Sequence, residues 1–183
     1  MTTALCIGNG ASLPQWREYI EYNHWDIRIC TKFQFREYRD IDYTAAADIK
    51  PVKAIMAENP EWVNRTITRQ LWKLQYNRDD TQLLCPTSFQ KGDVTGTLQV
   101  KWAIEQGATH ITTVAFDSLA KSWKKDTVWP WLTDGSTSID QYILKEQQLM
   151  AKRIRLMETW SDQIVLLEKK YPNIEFKHCN IRE

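Results

Sequence analysis

The chain contains no apolar run of the ~18 residues or more that a membrane-crossing helix requires, so no span is expected. It lacks a dominant charge as well. Lys and Arg number 24 against 23 Asp and Glu, a formal net charge of +1, which removes the global electrostatic footprint of a nucleic-acid or anionic-membrane binder. Four cysteines (Cys6, Cys30, Cys85 and Cys179) show neither C-x-x-C spacing nor a metal-ligand pattern, which argues against a zinc site. Each lies in or just beyond an expected strand, where a small buried residue suits better than a disulfide. The N-terminus lacks the basic and long apolar regions of a secretory signal, and a reducing, cytoplasmic setting is expected. No obligate metal is expected either. Histidine is scarce, at three residues: His24, His110 and His178.

What is present is an ordinary globular composition, 43% hydrophobic and 26% charged over 183 residues, which fits one domain spanning 1–183. Nine tryptophans stand out. Core packing accounts for most of them, with room for some indoles to line a pocket or a homo-oligomer contact.

Strand and helix patterns alternate. Ala4–Ile7 reads as a buried strand, Pro14–Tyr22 as a helix with Ser12 as its cap, and Asp26–Phe33 as an alternating strand. Extended pieces are expected over Tyr43–Asp48 and Val52–Met56. Asn59-Pro60 then opens a helix with Val63, Ile67, Leu71 and Leu74 as its apolar stripe. Gln82–Pro86 is a short strand, Thr95–Gln106 a helix ending at Gly107, and His110–Phe116 the cleanest strand. Residues 118–137 read as a lid loop, with Lys121, Lys124 and Lys125 on a basic stretch and Trp129-Pro130-Trp131 as an aromatic shelf or packing plug. A capping box at Ser138–Gln141 opens a long C-terminal helix to about Lys170, and Ile174–Cys179 is a final strand. This alternation predicts an α/β fold: a Rossmann-like, doubly wound, mainly parallel sheet.

Chemistry is expected at the first turn. Ile7-Gly8-Asn9-Gly10-Ala11-Ser12-Leu13 follows a strand and precedes a helix, where glycine lets a ligand approach the backbone and the helix start attracts phosphate. It is neither G-x-G-x-x-G nor a Walker motif. The second strand ends in Thr31-Lys32 rather than in an acidic residue for a ribose, which argues against a nicotinamide dehydrogenase.

This turn resembles the GNGPSL turn of bacterial sialyltransferases, enzymes that use CMP-sialic acid, and that of the related 6-hydroxymethylpterin diphosphokinases. Asp26–Phe33 resembles their second strand. Thr95-Gly96-Thr97, running on to Asp117, resembles their Ser-Gly helix start and the strand that follows it, and Asp42–Asp48 resembles a segment of the diphosphokinase branch. The resemblance covers about residues 4 to 117. It implies that Gly8, Asn9, Gly10 and Ser12 cradle phosphate and ribose, and that Thr31 and Lys32 sit near base or phosphate. Asp48, Ser88, Thr95, Gly96 and Thr97 would line the rest of the cleft. The sialyltransferases carry a catalytic histidine in their lid, whereas residues 118–137 contain none, leaving Asp117, Asp126, Asp134 or His178 to activate an acceptor. His110 and His178 also read as hydrogen-bonded strand-end imidazoles.

The expected function is a small nucleotide-sugar-dependent glycosyltransferase acting on a glycan or small-molecule acceptor. The alternatives are a pterin or nucleotide phosphotransferase, which would require Mg²⁺, and a non-catalytic nucleotide-binding protein.

Overall fold

The computed structural model describes residues 1–10, 12–116 and 162–179. Six strands, all parallel, form one sheet: β1 (Thr3–Ile7), β2 (Ile27–Thr31), β3 (Tyr43–Ala45), β4 (Thr66–Ile67), β5 (His110–Val114) and β6 (Glu175–Cys179), in the order β4-β3-β2-β1-β5-β6. From β1 the chain winds outward to β4, then returns to lay β5 on the other side of β1. The order therefore reverses between β1 and β5, the position at which open α/β sheets bind ligands.

Register explains the hydrophobic pattern. Ala4 pairs with Ile111 and Cys6 with Thr113, which pairs in turn with His178. These residues share one face with Ile29 and Ala45, covered by α4 (Thr95–Glu105) and by the helical residues 162–170, here α5, whose Ile164 and Leu167 are buried in the same cluster. The opposite face presents Leu5, Ile7, Cys30, Val114 and Cys179 to a 3₁₀ turn (Leu13–Trp16) and α1 (Arg17–Tyr22). Helices on both faces, with β1 and β2 buried on both sides, make the expected doubly wound, parallel α/β architecture.

Several local expectations hold. Gly107 ends α4 in the left-handed region (φ 90°), its N–H donating to Ile104 O and that of Ala108 to Ala103 O, the paired bonds of a Schellman cap. Others need correction. Val52–Met56 is not extended but lies in α2 (Ile49–Glu58), where Pro51 fits the first turn and Val52 and Ile55 share the buried face. The single helix expected from Pro60 to Leu74 is three pieces: a 3₁₀ turn (Pro60–Arg65), β4 and α3 (Gln70–Tyr76). The β-branched run Thr66-Ile67-Thr68 favours the extended state, Ile67 pairs with Ala45, and Leu71 and Leu74 are 61% and 72% exposed. Gln82–Pro86 contributes only a bridge between Leu84 and Ile67. Ser12 precedes the 3₁₀ turn without a side-chain cap bond. The lid at 118–137 and the expected helix start at Ser138 lie outside the described residues.

Candidate functional site at the strand-order reversal

Beyond β1 and β5 the two strand ends are stitched together. Gly8 N–H donates to Val114 O (2.7 Å), Gly10 N–H donates to Ala115 O (2.9 Å), and Ala115 N–H donates to Cys179 O (2.9 Å). Ala115 adopts φ 58°, a left-handed conformation that costs a residue bearing a Cβ about 1–2 kcal/mol. Lys32, at the end of β2, does the same with φ 52°. Such strain clusters at functional sites.

The glycines here provide space rather than positive φ. A methyl group at Gly8 would lie 2.5 Å from Ala115 O and 2.7 Å from Phe116 Cδ1, and one at Gly96 would lie 2.8 Å from Phe116 Cε2. The Phe116 ring thus fills the gap between the first turn and the start of α4. Gly8 and Gly10, expected to help cradle phosphate and ribose, have their N–H groups committed to Val114 O and Ala115 O at the end of β5.

Beneath the turn lies a polar layer that the sequence motifs did not reveal. Gln34 and Gln99 are fully buried. Gln34 Nε2 donates to Gly8 O (2.9 Å), and its Oε1 accepts from Thr31 N–H (2.9 Å). Gln99 Nε2 lies 3.1 Å from Ile7 O, 3.2 Å from Cys30 O and 2.8 Å from Thr31 Oγ1, while the Thr31 hydroxyl donates to Ile7 O (2.8 Å). The available signal was a lone glutamine set between Leu98 and Val100. Above this layer, Asn9 Oδ1 is buried with no hydrogen-bond partner among the described residues.

The remaining expected site residues divide between two places. Thr95 Oγ1 accepts from Ala47 N–H (3.1 Å), tying the start of α4 to the loop after β3. Asp48 is exposed just before α2, and Ser12 is buried behind the turn. Thr97 and Ser88 instead line a separate cleft between α4 and α5. Thr97 Oγ1 donates to Gln163 Oε1 (2.6 Å). Ser88 N–H donates to Glu105 Oε1 (2.9 Å), and Ser88 O accepts from Lys101 Nζ (2.9 Å). Asp117 lies outside the described residues.

His178 sits under α5 with both ring nitrogens engaged, Nδ1 to Thr113 Oγ1 (2.6 Å) and Nε2 to Glu168. His110 pairs with Glu175 (3.1 Å) at the amino end of β5, away from the strand-end crevice, and His24 is exposed beside Asp26.

Among the described residues no cysteine forms a disulfide. Burial pushes Cys30 up to about 12 and Cys85 up to about 11, and Cys6 is raised by the same cause, so none of these three is an activated nucleophile. Burial also raises the Glu105 carboxyl, but hydrogen bonds from Thr87 and Ser88 outweigh it and hold the group below its ordinary 4.5. A depressed carboxylate adds stability that is present above its unfolded value and lost as pH falls through its folded value. Below about pH 4.5, wild type is therefore expected to lose this contribution, whereas Glu105→Gln, which lacks it throughout, has a shallower acid limb. Urea unfolding at pH 7 and pH 3 checks this; identical acid limbs would refute it.

Among the described residues no cluster of three His, Cys, Asp or Glu side chains is placed to hold a metal ion, and no helix is long and apolar enough to cross a membrane. Compared with protein-family models, curated proteins and solved structures, the chain matches none.

Proposed function

We propose that the chain binds a nucleotide-sugar at the crevice between β1 and β5 and transfers the sugar to a glycan or small-molecule hydroxyl, as the bacterial sialyltransferases it resembles do. The observation that carries this reading is Asn9 Oδ1, a buried acceptor without a partner among the described residues, at the strand-order reversal. Buried polar atoms are nearly always paired, so an unpaired one at this position suits a ligand donor such as a ribose hydroxyl or an exocyclic amine. The start of α4 at Thr95-Gly96 lies across the Phe116 ring from the first turn, and a helix N-terminus on that side would favour the departure of the leaving phosphate electrostatically. Asp117, next in the chain after Phe116, is the residue we assign to deprotonate the acceptor. His178 serves this role less well, because Thr113 and Glu168 already occupy its ring nitrogens.

A thermal-shift screen against CMP, UDP, GDP, ADP, GTP, ATP and CMP-sialic acid, each with and without Mg²⁺, tests the reading. A ligand at 100 times its Kd stabilises the fold by about 2.7 kcal/mol. A shift with one nucleotide and its sugar, independent of Mg²⁺, is the expected result; one that requires Mg²⁺ would favour phosphoryl transfer instead. Asn9→Ala is expected to weaken that binding about tenfold, the loss of one hydrogen bond, while leaving Tm nearly unchanged, since Oδ1 has no partner among the described residues. Unchanged affinity in Asn9→Ala would overturn the placement, and no shift with any nucleotide would overturn the reading.

A further inference from the structure

The cleft between α4 and α5 carries, among the described residues, spare donors on Lys101 and Gln163 that the nucleotide reading does not use. It encloses about 140 Å³, well above the ~10–15 Å³ that one water requires, and its polar wall is built by Lys101, Asp93, Thr97, Gln163 and Lys170. Lys101 and Asp93 form a buried ion pair at 2.7 Å, their side chains 7% and 6% exposed.

The charges of the wall, two ammonium groups against one carboxylate, favour an anionic ligand. Asp93 Oδ2 already accepts from Lys101 Nζ and from Gln90 N–H. Gln163 Oε1 already accepts from Thr97 and from Val94 N–H. The Lys101 ammonium has three donors, of which Asp93 Oδ2 and Ser88 O take two among the described residues. Gln163 Nε2 has two donors, and Gly92 O takes one. The Lys170 ammonium lies 5.5 Å from the Tyr171 ring at the same cleft and adds a second cation. Two ammonium groups line the cleft against one carboxylate, whose Oδ1 has no hydrogen bond among the described residues, so the wall carries a net positive charge beside the spare donors of Lys101 and Gln163. The other wall is apolar, from Leu167 and the Tyr171 ring.

We propose that this cleft is a binding site for a small organic carboxylate, its head on Lys101, Gln163 and Lys170 and its few-carbon tail on Leu167 and Tyr171. A carboxylate with no tail would leave the apolar wall in water, and an amine would meet two ammonium groups. The site does not depend on nucleotide binding at the β1–β5 crevice.

The test is titration of ¹⁵N-labelled protein with sodium formate, acetate, propionate and butyrate at constant ionic strength, with inorganic phosphate and methylammonium as comparisons. Expected are saturable amide shifts at Gln163 and Tyr171, with affinity rising from formate to butyrate and no response to methylammonium. Lys170→Gln should weaken butyrate about tenfold. Removing the ion pair whole, in Asp93→Asn/Lys101→Met, should abolish binding without stranding a buried charge. Absence of saturable shifts with every carboxylate would overturn the proposal, as would tighter binding of phosphate than of butyrate. So would unaltered butyrate affinity in both the Lys170 variant and the folded double variant.

Discussion

Gly8→Ala is expected to destabilise the protein by about 3 kcal/mol or more, whereas Gly96→Ala can be rescued from a second site. The two glycines face the same ring but different kinds of obstacle. At Gly8 a new methyl meets Ala115 O at 2.5 Å and Ala115 C at 2.9 Å as well as the ring. Those are backbone atoms pinned by the Gly10 N–H and Cys179 O hydrogen bonds, so they cannot withdraw without parting β1 from β5. For a chain of this size the loss corresponds to a fall in Tm of roughly 6–12 °C. At Gly96 the three nearest atoms, at 2.8, 3.2 and 3.4 Å, all belong to the Phe116 ring. Shortening that ring with Phe116→Leu removes the clash, and alanine's better helix propensity, worth up to about 1 kcal/mol, should then make Gly96→Ala neutral or stabilising. Thermal and urea unfolding of the singles and of both doubles with Phe116→Leu separate the cases. Rescue of Gly8→Ala by Phe116→Leu would show that the strand ends are less firmly joined than their hydrogen bonds imply.

That contrast also shows what the sequence could and could not reveal. The strand–turn–helix pattern at Ala4–Tyr22 and the clean strand at His110 placed a glycine turn on a parallel sheet, and the architecture agrees. The reason for Gly8 was not legible, because it depends on Ala115 and Phe116 more than a hundred positions away. Gln34 and Gln99 were missed for the same reason. A buried glutamine looks like any surface glutamine until the strands whose carbonyl groups it serves are brought beneath it. Helical spacing misled at Ile67, where an i, i+4 repeat with Val63 belongs to a 3₁₀ turn followed by an edge strand. The β-branched neighbours Thr66 and Thr68 were the local signal against a helix, and pairing with β3 decided it. For the candidate site, the turn's position was legible, but the occupation of its N–H groups by β5 was not. Thr97, next to Gly96, turns to a different cleft because α4 carries successive residues around its axis, and Ser88, in the loop before α4, is held at that cleft by Lys101 and Glu105.

Lys101→Met alone is the second substitution expected to have a large effect, about 3–5 kcal/mol of stability. It leaves Asp93 buried with the Gln90 N–H but without its counter-ion, and it removes the bond that holds Ser88 O to α4. Asp93→Asn alone should cost less, since Lys101 keeps Ser88 O and the asparagine oxygen remains an acceptor. The double variant Asp93→Asn/Lys101→Met removes both charges and should recover most of the deficit, as buried ion pairs replaced whole by groups of similar volume usually do. A double-mutant cycle from urea unfolding gives the coupling directly, with an interaction of 1–3 kcal/mol expected for groups in contact. Additive single losses, with no recovery in the double variant, would mean that the pair is not energetically coupled. The loop carrying Ser88 would then be held by Glu105 through Thr87 and Ser88, and Glu105→Gln would become the substitution that frees it.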